Sequence, residues 1–357
     1  MHIIYVVDAD LSSSLGVAKK IASQIELWRN YGNTVECFCI SENCYSANIK
    51  RVEFSRLKAR FIPMVLKRYL NRVLAYKKIQ DYIENTKPDL LYVRQSIWVP
   101  QFGRMLLKVP SVIELNTNDL LEKRTLGFLS WLYCKLTREL LIRASSAFVA
   151  VSNEIAEPYV KYGKPIITVS NGFKVLATEN NPIDKRKRVQ FIFVGSPSQS
   201  WQGTDKVLRL ALMFPEFDFH VVGEVLDGVL ENVFYHGFKT GDALSDLYSK
   251  MNIGIGTLAL HRKGMKEASP LKVREYLAYG LPVILGYKDT DVDGKDFVLN
   301  IGNYELNVNE NKQQITDFVN EWSDRRVDQE QVIQLIDWEM KEQRRLKFFE
   351  SIIKSAL

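Results

Sequence analysis

"KEASPLKVREYLAYGLPV", residues 266–283, places two glutamates, Glu267 and Glu275, eight positions apart around a Ser-Pro pair. Ser269 suits a helix N-cap, Pro270 the first helical turn, and Gly280 with Pro282 a helix stop, so the spacing predicts a helix between them. Glu267 then precedes the helix and Glu275 lies two turns along it. Val273, Leu277 and Ala278 make its apolar stripe, and LPVIL at 281–285 follows as a short buried strand.

The same alternation runs outward in both directions. HIIYVV (2–7) reads as a buried strand, followed by a polar loop and a helix with Val17, Ile21, Ile25 and Trp28 at helical spacing. NTVECFCI (33–40), PDLLYVR (88–94), PSVIELN (110–116), SSAFVAVS (145–152) and PIITVSNG (165–172) repeat the strand signal, with helical stretches between. A charged stretch, 177–188, interrupts the pattern as an interdomain linker would. The rhythm restarts in VQFIFVG (189–195), FDFHVVG (217–223), NVFYHG (232–237), NIGIGTL (252–258) and DFVLNIG (296–302). Strands alternating with helices predict two successive parallel α/β domains. The tail, 337–357, carries Trp338, Leu346, Phe349 and Ile353 on one face of an amphipathic closing helix.

The bulk numbers agree, since 357 residues exceed one ordinary core and suit two. A net charge of +6 points weakly to anionic partners: nucleic acid, lipid headgroups or a phosphorylated substrate. Cys37, Cys39, Cys44 and Cys134 show no metal spacing, and the first strand breaks to acid after seven residues, so a reducing cytoplasm is expected. No apolar run is long enough to span a bilayer.

Parallel sheets bind ligands beyond the carboxyl ends of their strands, which directs attention to the loops there. Gly16 and Gly195 follow the first strand of each half, but neither loop has G-x-G-x-x-G or Walker spacing, which argues against a dinucleotide dehydrogenase or a P-loop ATPase. HRKGMKEASPLK (261–272) brings Arg262, Lys263, Lys266 and Lys272 beside a helix N-terminus, a combination that suits an anion. A merely solvated charged loop is the plain alternative, and the two glutamates could also divide acid and base roles in hydrolysis.

With these residues in place, the chain resembles the retaining glycosyltransferases of family 4 (glycosyl transferases group 1), which have the GT-B fold. The resemblance rests on the E-x7-E of Glu267 and Glu275 with YLAYGLPV behind it, and on SLGVAKK, PDLLYVR, AVS (150–152), VSNGF (169–173) and FVGSPSQSWQGTDKVL (193–208) in the family's order. It implies two Rossmann-like parallel α/β domains facing a central cleft. These would be an acceptor-side domain over 1–176, a donor domain over 177–336, and a helix over 337–357 returning to the first. It implies sugar transfer from a nucleotide-diphosphate donor with retained configuration, to a glycan or lipid-linked acceptor, with no metal, cofactor or nucleic acid. Glu267 would reach the donor sugar and Glu275 the ribose hydroxyls. Gly16, Gly195, Gln202, Ser269, Leu271 and Phe238 fall on donor-side positions, and Asn116, Arg94 and Lys263 on acceptor-side ones.

Two departures from the family stand out. Ser196 and Gln202 occupy places where many relatives grip the phosphates with Arg and Lys, so Lys272 is the expected replacement, with Lys206 and Lys263 behind it. Asn116 stands where many relatives have a histidine, and an amide cannot act as a base at neutral pH. Without that clamp a degenerate protein that binds a nucleotide sugar or a partner is the alternative. An epimerase or inverting reaction would need a base, for which the first half offers Asp8, Asp10, Glu114 and Asp119 as candidates. Finally, residues 56–78 hold eight Lys/Arg and no acid. Such a helix can lie on an anionic membrane as a peripheral contact, or pack on the sheet with its cations in water.

Overall fold

The computed structural model describes residues 1–9, 11, 16–41, 44, 49–52, 63–175, 188–196, 199–223 and 230–356. Asp10, residues 56–62 of the basic stretch and 177–187 of the expected linker lie outside them. The chain divides into two compact units, Met1–Val169 with Glu342–Leu357, and Ser170–Lys341.

In the first unit the described strands are β1 (His2–Val7), β2 (Thr34–Cys39), β3 (Lys50–Arg51), β4 (Leu90–Arg94), β5 (Ser111–Leu115), β6 (Ala147–Ala150) and β7 (Ile166–Thr168). They form one parallel sheet in the order β3-β2-β1-β4-β5-β6-β7. Ile3 to Val7 and Leu90 to Val93 are wholly buried, as strands covered on both faces must be. The helices are α1 (Gly16–Asn30), α2 (Met64–Thr86), α3 (Pro100–Leu106), α4 (Asp119–Thr125), α5 (Phe128–Ala144) and α6 (Asn153–Val160).

In the second unit β8 (Gln190–Val194), β9 (Asp218–Val222), β10 (Val233–Tyr235), β11 (Ile253–Ile255), β13 (Val283–Leu285) and β15 (Val298–Asn300) form a parallel sheet in the order β10-β9-β8-β11-β13-β15. Two short strands, β12 (Glu267–Ala268) and β14 (Lys288–Asp289), pair separately. Helices α7 (Thr204–Met213), α8 (Asp242–Ser249), α9 (Leu271–Ala278), α10 (Asn307–Glu310), α11 (Lys312–Trp322) and α12 (Gln329–Ile336) complete it.

The tail is helix α13 (Trp338–Ala356), whose residues from Glu342 onward belong to the first unit. Phe349 is fully buried, with its ring 5.0 Å from Tyr92 and 5.5 Å from Trp28. Burying a side chain of that size contributes roughly 1.5 to 3 kcal/mol. The Trp28 indole N–H donates to Glu342 Oε2 at 2.7 Å, so the apolar contact carries a polar lock. In each sheet the strand order reverses beside its first strand, between β1 and β4 and between β8 and β11. The carboxyl ends of those strands are the expected ligand positions.

Candidate active site

In the second unit the E-x7-E helix is α9. Pro270, with extended backbone (φ −73°, ψ 141°), is its N-cap, and Ser269 does not cap it. Ser269 instead ties down residue 171: its hydroxyl accepts from the Asn171 N–H (2.9 Å), and its carbonyl accepts from Asn171 Nδ2 (2.6 Å). At the far end Gly280 (φ +70°) closes the helix, donating to the Leu277 carbonyl while the Leu281 N–H donates to that of Tyr276. This is the left-handed stop that glycine favours.

Glu267 sits buried in β12, where the Lys288 N–H donates to the Lys266 carbonyl at 3.0 Å and holds the strand against β14. Glu275 is half-buried on α9 and accepts from the Tyr248 hydroxyl at 2.7 Å. The two carboxylates therefore differ in mounting, one on a strand and one on a helix.

The turn after β8 is packed as tightly as glycine permits. A Cβ on Gly223 would fall 2.1 Å from the Gly195 carbonyl, and one on Gly195 would fall 2.7 Å from the Phe193 ring. The Gly223 N–H donates to the Gly237 carbonyl at 2.7 Å, which joins the ends of β9 and β10 and leaves the next residue, Phe238, 70% exposed. Gln202, buried in a 3-10 turn (Ser200–Gln202), links this turn to α9. Its Oε1 accepts from the Ser196 N–H at 3.3 Å and from Lys272 Nζ at 3.2 Å, and its Nε2 donates to Gln199 Oε1 at 2.6 Å. The Lys272 ammonium also lies 4.2 Å over the Phe193 ring. Burial pushes Lys272 down to about 7, so it is only partly charged at neutral pH. An arriving anion would restore the charge.

Two other cations read from the sequence have structural work. Lys206, proposed as a reserve clamp, is buried and donates to the Tyr304 carbonyl (2.7 Å) and Asn307 Oδ1 (2.9 Å). Arg262 is forked onto Asp205 and Glu305. Lys263 stands 4.9 Å over the Trp201 ring and belongs to the second unit, whereas Asn116 and Arg94, grouped with it as acceptor-side residues, belong to the first.

Sequence reasoning passed over Arg274, between the two glutamates. It is fully buried, donating to Asp289 (2.5 Å), Asp291 (2.5 Å) and the Asn171 carbonyl (3.1 Å). Asp291 also accepts from Lys341 Nζ and the Ser170 hydroxyl. Three segments distant in sequence are thereby tied to α9. No periodicity signals such a residue, because its partners are set by tertiary contact.

The first unit contains a cavity of about 330 Å³ at the carboxyl ends of β1, β4 and β5. Asn116 and Arg94 both line it, with Asp8, Gln95, Trp98 and Asp119. Gly16 opens α1, which follows β1. Asn116 Oδ1 accepts from Lys20 Nζ at 3.1 Å, and Lys20 in turn donates to Glu114 at 2.8 Å. Glu114 is a fully buried residue of β5. Burial alone would raise its carboxyl, but Lys20, Arg94 and Arg345 hold it far below the usual range. Such a group cannot take a proton near neutral pH. Asp8 is held by Arg72 (2.7 Å) and Ser96 (2.6 Å), and Asp119 by Arg138 (2.9 Å). Asp8, Glu114 and Asp119, three of the four carboxylates weighed as bases, are thus each paired with a cation, while Asp10 lies outside the described residues.

In the second unit His220 Nδ1 and His236 Nε2 are 2.8 Å apart, and burial lowers His220 to about 4, so the pair is neutral. Among the described residues no group of three His, Cys, Asp or Glu could hold a metal, and no helix is long and apolar enough to cross a membrane.

Two parallel α/β units with these strand orders define a GT-B protein. The chain superposes on sucrose-phosphate synthase from Thermosynechococcus elongatus with a TM-score of 0.74 at 13% identity, covering 99% of this chain and 100% of that one. The apo lipopolysaccharide outer core galactosyltransferase WaaB gives 0.67 at 17% identity, with both chains covered in full. A UDP-GlcNAc 2-epimerase from Neisseria meningitidis gives 0.57 at 16%, covering 98% and 100%. At these identities the likeness establishes the fold, which a transferase and an epimerase share. No curated protein matches at the sequence level. The family model described as Glycosyltransferase Family 4 matches residues 16–175, which fall almost wholly within the first unit.

Proposed function

We propose that the second unit binds the nucleotide-diphosphate sugar along α9. On this reading Glu267 meets the sugar, Lys272 and the Gly195–Ser196 turn meet the diphosphate, and Glu275 and Phe238 meet the nucleoside. Ser269 and Leu271 shape the α9 N-terminus, and Gln202 aims Lys272. The observation that carries the reading is the junction of Gln202 Oε1 with both the Ser196 N–H and Lys272 Nζ. It joins the two elements that flank the switch between β8 and β11. As the glycosidic bond breaks, charge grows on the leaving diphosphate, and donors fixed there stabilise the transition state more than the ground state. The acceptor side is the first-unit cavity, where Asn116 and Arg94 offer hydrogen bonds to sugar hydroxyls. Gly16 and Lys263 are assigned to the donor and acceptor edges on the resemblance alone. The acceptor class we favour is a glycan or lipid-linked glycan of a surface polysaccharide, built at the cytoplasmic face of the membrane. That the like-folded WaaB acts on lipopolysaccharide accords with this.

The test is a thermal-shift panel of nucleotide sugars followed by kinetics with the donor found. Because a ribose contact acts in ground and transition states alike, Glu275→Ala is expected to raise the donor KM with little change in kcat. Glu267→Ala should lower kcat with the donor still bound. Wild-type kinetics in both variants would remove the assignment.

A further inference from the structure

The first-unit cavity has one wall whose charge is not balanced. Among the described residues seven charged ones line it, and six pair off: Arg72 with Asp8 (2.7 Å), Arg138 with Asp119 (2.9 Å) and Lys123 with Glu122 (3.7 Å). Arg94 is the seventh. Its only ion-pair contact among the described residues is with Glu114 at 3.5 Å, and that carboxylate already accepts from Lys20 Nζ (2.8 Å) and the Tyr5 hydroxyl (3.2 Å). Arg345, which also acts on Glu114, is bonded to Glu342. Lys20, Arg94 and Arg345 thus share two carboxylates, Glu114 and Glu342, so one positive charge of a largely buried cluster is uncompensated.

The hydrogen bonds carry the same sign. An ammonium can only donate, so the contact at 3.1 Å fixes the Asn116 amide with its oxygen toward Lys20. The NH2 of Asn116 is left buried, with no partner among the described residues, as is the hydroxyl of Thr117, and both residues line the cavity. Burial first, and then Arg94 and Arg345, work against the charge on Lys20, with Glu114 opposing them. A negative charge at this wall would relieve all three cations.

We infer that the wall is an anion subsite: the acceptor sugar bears a carboxylate or a phosphate, which the Arg94 guanidinium receives together with the Asn116 amide N–H. The inference rests on the acceptor assignment above and adds the acceptor's chemical class to it. A neutral sugar is the poorer match, because its hydroxyls need acceptors as well as donors and the carboxylates of this lining are each engaged with a cation. A hydroxyl against Arg94 would also leave its charge unanswered, whereas a carboxylate or phosphate meets the planar fork with two parallel bonds. At about 330 Å³ the cavity is at the small end for ligand sites, the scale of one sugar residue.

The test is binding of methyl β-glucuronide, glucose-6-phosphate and neutral methyl β-glucoside to the full chain, titrated at fixed ionic strength with the nucleoside diphosphate of the donor held saturating. At least one anionic sugar is expected to bind about tenfold or more tighter than the glucoside, the equivalent of one charge-assisted hydrogen bond, and the stronger of the two tells carboxylate from phosphate. Arg94→Gln and Asn116→Asp should each remove that selectivity, the second because its carboxylate supplies the missing charge while still accepting from Lys20. Asn116→Asp should melt no lower than wild type, and the donor-induced thermal shift should be unchanged in both variants, which separates the subsite from folding and from the donor reading. Three outcomes would overturn the proposal. Glucoside bound as tightly as both anionic sugars, and weakened in Arg94→Gln, would keep the cavity as the acceptor site but remove the anion. Failure of all three sugars to bind, with the donor-induced shift intact, would remove the acceptor assignment as well. Anion binding kept in Arg94→Gln and Asn116→Asp but lost in Lys272→Met would place the anion in the second unit.

Discussion

Lys272→Met is expected to lower kcat/KM for the donor by roughly 10- to 150-fold, the equivalent of a charge-assisted hydrogen bond of about 1.5 to 3 kcal/mol. The amine is the cation that Gln202 holds toward the turn after β8, and the neighbouring Lys206 and Arg262 are committed elsewhere. Its pH profile supplies a signature. In the free enzyme burial lowers Lys272 to about 7, and a bound diphosphate raises it again. The protonated form binds the anion, so kcat/KM should be high below about pH 7 and decline as pH rises through that value. The Met variant should lack this limb. A wild-type kcat/KM, or an identical alkaline limb in the variant, would return attention to Lys263.

Arg274→Met is expected to destabilise the second unit by about 3 to 5 kcal/mol, because it leaves the buried Asp289 and the half-buried Asp291 without their guanidinium. Hydrogen exchange of β11 and β13 amides in the full chain would read this directly. The loss should depend on pH. Burial alone would raise the Asp291 carboxyl, but Arg274 and Lys341 hold it below its usual range. Its contribution is present above the unfolded value, near 3.9, and is lost as pH falls through the depressed folded value. The gap between variant and wild type should therefore be full at neutral pH and narrow in acid, where the stranded carboxyls can protonate. Protection unchanged from wild type at pH 7 would mean that Asn171 and Lys341 suffice to seat α9.

Legible along the chain were the alternation of buried strands and helices, the placing of Glu267 ahead of a helix and Glu275 within it, the Gly280 stop and the closing amphipathic helix, whereas the short strand that carries Glu267 was not. Each is a local pattern, in which periodicity or turn chemistry over a dozen residues states which face is apolar and where a helix must end. Tertiary structure alone decided what the charged residues do. Ser269 carries the mark of an N-cap, yet it bonds residue 171, since a partner 98 positions away competes for the same hydroxyl. Lys206, Arg262 and Arg72 look alike in sequence to Lys272, and only packing separates three satisfied cations from the one held at the β8 turn. Hydrophobic patterning is read along the chain, whereas ion pairing and exposure depend on neighbours that folding brings from afar.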